Sequence, residues 1–301
     1  MTCGKRRGSK MRKLRSVITM LFIAAVAVCG VYMVKEVITG KSKAPVINCE
    51  KDSIKVSVKD KESALLKGMT AEDKEDGDLT QDIRVVSMSH FIKGNTRKVK
   101  YVVFDSSNQA GIYERNVTYT DYSSPRIHMK QPLRCEGTEL LKIDWRQYVT
   151  AKDCIDGDLT NQIRCMYDSY MYADRTETQP ITFQVSNKAG DVCVVEADLT
   201  LVNKSDPDER MKYYPVLSEY IVYTKAGKKL NLRKYVKGLE QNGIEYLYRD
   251  DRELEDRTKN QIKFSEDINY SKPGTYKVDV SYRSEGGVKA VTKMYVVVEE
   301  K

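Results

Sequence analysis

The chain has 301 residues, of which 41% are hydrophobic and 31% charged, and a formal net charge of +8. That length accommodates two or three domains of ordinary size, and the composition excludes a collagenous, coiled-coil or low-complexity chain. Of the 51 Lys and Arg residues, seven lie in residues 1–15 with no acid among them, which leaves 44 basic against 43 acidic residues in the rest. The body of the chain therefore carries no electrostatic footprint for nucleic acid. Tyrosine is frequent, at 20 against 5 Phe and 1 Trp, and suits half-buried β surfaces where the ring packs and the hydroxyl stays wet.

The basic tail at 1–15 is followed by SVITMLFIAAVAVCGVYMV at 16–34, which holds no charge. Nineteen helical residues rise about 28 Å, so this stretch predicts a transmembrane helix. Basic residues on the upstream flank would place the N-terminus in the cytoplasm and the C-terminal domains outside a single-pass membrane protein. A cleaved signal peptide is the rival reading, with Ala25-Val26-Ala27 as the site. Cleavage there would leave an apolar stub on the mature chain. A lipid-anchored Cys29 is disfavoured, because Val28 stands where a small residue is needed.

From residue 45 onward the chain repeats. TAEDKEDGDLTQDIR at 70–84 aligns with TAKDCIDGDLTNQIR at 150–164, and ten of the fifteen positions are identical. Each unit opens near a proline, Ala44-Pro45-Val46 and Ser124-Pro125-Arg126. Each closes in two alternating segments around an Ala-Gly turn: 99–105 with 112–119, and 181–187 with 192–202. The period of two, the segment length and the polar turns predict strands. A third unit opens at Tyr214-Pro215-Val216 and lacks DGDLT. It keeps KLNLRKYV (229–236), an echo of KIDWRQYV (142–149), and SKPGTYKVDVSYR (271–283) before a Gly286-Gly287 turn. The expected architecture is all-β: three tandem β-sandwiches at 45–122, 125–203 and 214–300, joined by polar linkers.

The pattern TAxDxxDGDLTxxI, with PGTYKVDVSY (273–282) in the third unit, resembles the bacterial immunoglobulin-like domain family of the pesticidal crystal protein type. The resemblance covers residues 45–300; DGDLT matches in the first two units and PGTY in the third alone. It implies tandem Ig-like domains on a bacterial surface protein, acting as spacers or binding modules. A shared fold does not define a site.

DGDLT reads first as a turn. Gly77 and Gly157 supply a positive φ, and the flanking aspartates accept nearby backbone N–H groups. Leu79 and Leu159 would enter the core, with Ile83 and Ile163 four residues later. The sharper alternative is calcium: Asp73, Asp76 and Asp78, and likewise Asp153, Asp156 and Asp158, each put three carboxylates within six residues. The spacing is not that of an EF-hand loop, and no second acidic segment completes a shell.

Four of the seven cysteines cluster at Cys135, Cys154, Cys165 and Cys193. Outside a membrane these could form disulfides, with Cys135–Cys193 and Cys154–Cys165 as the preferred pairs and four free thiols as the alternative. Tyr167, Tyr170 and Tyr172 are candidate binding aromatics, weighed against ordinary strand packing. Trp145 reads as core, since Leu232 takes its place in the third unit. No GxSxG, HExxH or phosphate loop occurs, and the two histidines offer no shared base, so catalysis is not expected. The sequence thus predicts a non-catalytic surface module that binds a cell-wall glycan, an envelope polymer or a protein. The alternative is a structural spacer or scaffold in a membrane assembly. No cofactor is expected apart from the calcium alternative.

Overall fold

The computed structural model describes residues 5–38, 43–137, 139, 143–167, 178–248, 259–265 and 267–300. The chain opens with helix α1 (Lys5–Ile38). Among the described residues no helix is long and apolar enough to cross a membrane. This overturns the expected single-pass anchor at 16–34, and with it the assignment of a cytoplasmic N-terminus and external domains.

Beyond α1 the chain is built of strands. The first set is β1 (Val46–Cys49), β2 (Ser53–Val56), β3 (Met69–Asp73), β4 (Gly77–Asp78), β5 (Arg84–Lys93), β6 (Thr96–Phe104) and β7 (Ala110–Tyr119), with helix α2 (Glu62–Leu65) between β2 and β3. The second set is β8 (Arg126–Met129), β9 (Arg134–Glu136), β10 (Val149–Asp153), β11 (Gly157–Asp158), β12 (Arg164–Tyr167), β13 (Thr178–Ser186) and β14 (Val192–Val202). Helix α3 (Pro207–Arg210) leads to the third set. It comprises β15 (Tyr214–Leu217), β16 (Ile221–Lys225), β17 (Val236–Gln241), β18 (Ile244–Leu247), β19 (Lys263–Phe264), β20 (Gly274–Arg283) and β21 (Lys289–Glu299).

One topology recurs in all three sets. The three-stranded sheets run β1-β3-β4, β8-β10-β11 and β15-β17-β18, and the four-stranded sheets run β2-β7-β6-β5, β9-β14-β13-β12 and β16-β21-β20-β19. In the second and third sets the short strand that joins the larger sheet lies parallel to the last one, with Cys135 opposite Leu201 and Val222 opposite Val296. The other pairings of those two sets are antiparallel.

The alternation predicted from sequence decides which face is buried. Strands β3 and β10 share the pattern of buried and exposed residues, with Met69, Ala71 and Asp73 inward in one and Val149, Ala151 and Asp153 in the other. Ile181, Phe183 and Val185 of β13 meet Ile127 and Met129 of β8 and Val195, Ala197 and Leu199 of β14 in one apolar cluster, so both sheets contribute to one core. Trp145 packs on its border, edge to face with Phe183 at 6.2 Å.

By contact density the chain divides into two compact units, Met1–Ile54 with Asp60–Met88 and Lys98–Val117, and Lys55–Lys59 with Ser89–Arg97 and Thr118–Lys301. In the first unit Ile47, Met69, Ala71, Ile83, Val99, Tyr101, Val103 and Val117 are buried, and the Tyr101 hydroxyl donates to the Leu65 carbonyl at 2.9 Å. In the second unit a single apolar cluster runs from Ile127 to Val298, so the second and third strand sets share one continuous core.

Candidate functional site

The repeated DGDLT segment folds into the same turn twice. Asp73, nearly buried, accepts the N–H groups of Glu75 at 2.7 Å and Asp76 at 3.0 Å on one oxygen. Asp153 does the same for Ile155 and Asp156, at 2.7 and 2.9 Å. Asp76 and Asp156 reach across to the backbone N–H of Ser106 and Lys188, each at 2.6 Å. Asp78 and Asp158 accept the N–H of Thr80 and Thr160 at 2.9 Å. Those threonine hydroxyls in turn accept the N–H of Ala71 at 3.1 Å and Ala151 at 3.2 Å. Gly77 and Gly157 sit at φ of 77° and 73°, in the left-handed region that glycine occupies at least cost.

The six carboxylates therefore each satisfy backbone donors. Hydrogen bonds from Thr80 and Thr160 hold Asp78 and Asp158 below the ordinary carboxylate range, and the N–H groups of Asp76 and Glu75 do so for Asp73. Among the described residues no three His, Cys, Asp or Glu side chains converge in a way that could hold a metal ion. The apolar residues of the two turns share the core differently: Leu159 is buried where Leu79 is half-buried, and Ile83 is buried where Ile163 is half-buried.

The cysteine pairs expected from sequence do not form; Cys135, Cys154, Cys165 and Cys193 are free thiols. Strand register is the reason. Cys135 lies opposite Leu201 on β14, and Cys193 sits eight residues earlier on that strand, roughly 26 Å away at strand rise. Cys154 follows β10 and meets the Ser123 carbonyl at 3.1 Å, while Cys165 pairs with Phe183 in the other sheet. Burial pushes the Cys135 and Cys165 thiols up to about 11, which is the inert direction for a thiol. Of the candidate binding aromatics, Tyr167 ends β12, and Tyr170 and Tyr172 lie outside the described residues.

A polar site that the sequence did not advertise lies in the second unit. The Tyr122 hydroxyl donates to Asp191 at 2.7 Å and accepts from the Asn187 side-chain amide at 2.9 Å. That amide also donates to Asp153 at 3.0 Å, and its oxygen accepts the Asp191 N–H at 3.0 Å. Burial and the neighbouring Asp191 carboxylate push the Tyr122 phenol upward, so it stays a neutral donor. Its ring packs edge to face against Phe91 at 4.7 Å. The Phe91 N–H donates to the Ala189 carbonyl at 2.8 Å. A Cβ on Gly190 would come within 2.7 Å of His90, so glycine is required for this approach.

Beside this network runs a cleft of about 610 Å³, whose wall includes Phe91, Tyr122, Ser124, Arg126, Asp191 and Glu299. Arg126 forks onto Glu299 at 2.9 and 2.8 Å and stands 5.1 Å from the centre of the Tyr223 ring. The second and third strand sets are tied together nearby. Tyr223 both donates to the Ile127 carbonyl and accepts its N–H at 2.9 Å, the Tyr220 N–H donates to Met129 at 2.8 Å, and the Tyr295 hydroxyl accepts the Asp198 N–H at 2.6 Å. Arg134 lies over the Tyr214 ring and pairs with Glu240.

No family model matches the chain, and no curated protein matches it. Among solved structures, it is similar to the CBM51-2 domain in complex with GlcNAc and INT domains from Clostridium perfringens ZmpB, at 19% identity and a TM-score of 0.21. That match covers 46% of this chain and 27% of that one. The M60 catalytic domain of ZmpB with CBM51-1 and CBM51-2 matches at 11% identity over 85% of this chain and 31% of that one, with a TM-score of 0.22. The protocadherin gammaB7 EC3-6 cis-dimer matches at 9% identity over 85% and 74%, with a TM-score of 0.19. This chain thus spans less than a third of the length of the Clostridium chains, and overlaps of this quality carry no functional argument.

Proposed function

We propose that this chain is a non-catalytic binding module, built from tandem Ig-like sandwiches, that engages a cell-envelope polymer, glycan or surface protein. The observation that carries the reading is the cleft beside Tyr122: a concave, polar wall with two aromatic rings held in place by a satisfied hydrogen-bond network. Preorganised aromatic and polar groups bind at low entropic cost. Burial raises the thiols of Cys135, Cys165 and Cys193, so none of these three is an activated thiolate nucleophile. The resemblance of the DGDLT units to bacterial Ig-like domains supports the same reading.

A second reading, a structural spacer, is favoured by the tie between the second and third strand sets. Buried tyrosine hydroxyls on backbone groups and a shared apolar core make that junction stiff. Co-sedimentation of the full chain with purified bacterial cell-wall sacculi, with and without calcium, separates the two. Retention in the pellet in both conditions is the expected result. A chain that stays in the supernatant throughout supports the spacer, and retention only with calcium would reassign the DGDLT aspartates as metal ligands.

A further inference from the structure

Resting on the binding reading above, we propose that the cleft walled by Phe91, Tyr122, Arg126, Asp191 and Glu299 is a subsite for a short stretch of neutral glycan. Three observations point there. The first is size: about 610 Å³ falls within the range of small-ligand sites and suits a few pyranose rings. The second is the pairing of surfaces. A pyranose ring has an apolar C–H face and a rim of hydroxyls that both donate and accept. Phe91 and Tyr122 are each half-buried and locked edge to face, so they offer ring surface without losing rotamer freedom on binding. Next to them stand a carboxylate and an Arg–Glu fork, the groups that bond vicinal hydroxyls.

The third observation is charge. The cleft is walled by two cations, Arg126 and Lys225, and three anions, Asp191, Glu299 and Glu300. Arg126 is already committed to Glu299, and Asp191 to Tyr122. No uncompensated positive field remains to hold a phosphate-rich or uronate polymer, and the slight negative excess disfavours one. A neutral polyhydroxyl ligand meets neither penalty. Its hydroxyls can use the lone pairs and N–H groups that the internal pairs leave over.

The test uses the full chain and three soluble probes: cellohexaose, chitohexaose and polygalacturonate. Binding is read by calorimetry, and the contact region by hydrogen exchange with peptide-level resolution. At least one neutral oligosaccharide should bind, with slowed exchange in peptides spanning 89–97 and 119–126. Ser124 is exposed on the cleft wall, so Ser124→Arg should obstruct it without disturbing the core and weaken that binding tenfold or more. Phe91→Ala should weaken it by about the same factor, checked for folding by its melting transition. Binding of polygalacturonate alone would overturn the proposal. So would sacculus retention that Ser124→Arg leaves unchanged, which would leave the binding reading intact and move the site elsewhere. Absence of binding to sacculi and to every probe would overturn both.

Discussion

The turn at the edge of the small sheet is built in two ways in this chain. In the first two strand sets β3 passes to β4, and β10 to β11, through a three-residue loop held by aspartates; the paired strands are Asp73↔Gly77 and Asp153↔Gly157. In the third set β17 passes to β18 through Asn242-Gly243, with Gln241 opposite Ile244 and both turn residues at positive φ, 53° and 81°. That is a two-residue hairpin of the type that matches strand twist. Sheet order is the same in all three sets. The comparison teaches that DGDLT is one solution to a turn and not a requirement of the sandwich. It also shows what each solution costs. The aspartate turn ends the edge strand after two residues, whereas the Asn-Gly turn extends it to four and leaves Ile244, Tyr246 and Leu247 about half exposed.

The aspartate turns should break most sharply at their innermost carboxylate. Asp153→Ala strips acceptors from two backbone N–H groups and from Asn187 and should cost about 3 kcal/mol; Asp73→Ala, with two backbone donors, should cost about 2 kcal/mol. Urea unfolding of the two variants measures the difference, and equal costs would remove Asn187 from the account.

Glycine substitutions put all three turns on one scale. Gly77, Gly157 and Gly243 have positive φ and open space where a Cβ would go, so alanine pays only the backbone strain. Each should lose about 1 kcal/mol. A far larger loss at one of them would expose a packing role.

The smallest effect is the pH dependence. Asp78 and Asp158 titrate below 3.8 in the folded chain because Thr80 and Thr160 bond the ionised form. A depressed carboxylate stabilises above its unfolded pKa, and that contribution fades as pH falls through the folded value. Hydrogen exchange in peptides over 70–84 and 150–164 should therefore be flat from pH 7 to about 5 after correction for intrinsic rates, and lose protection below about pH 4. The same acid shift in Thr80→Val and Thr160→Val would show that the threonines do not set it.

Much of this was legible in the residues. The echo between KIDWRQYV and KLNLRKYV corresponds to a short 3₁₀ turn in each, capped by Asp144 onto the Arg146 N–H at 3.1 Å and by Asn231 onto the Arg233 N–H at 3.2 Å. Trp145 and Leu232 occupy equivalent places at or near the core. Caps of this kind span two residues and follow from residue type. The uncharged stretch at 16–34 misled the membrane assignment: among the described residues no helix is long and apolar enough to cross a membrane. The preferred cysteine pairs, an early strand to a late one and a short loop, failed on register: Cys135 lies opposite Leu201 and Cys165 opposite Phe183.

The sequence by itself determined the repeated strand plan, the places of its turns and the aspartates that close two of them. These rest on side-chain period and on hydrogen bonds between residues a few positions apart. Only the tertiary structure decided the cleft and its supporting network. Phe91, Tyr122, Asp191 and Glu299 come from four distant stretches of the chain, and no local signal marks any of them. Their meeting depends on strand register and on long-range packing within the second unit, which become defined only when the apolar faces are buried together.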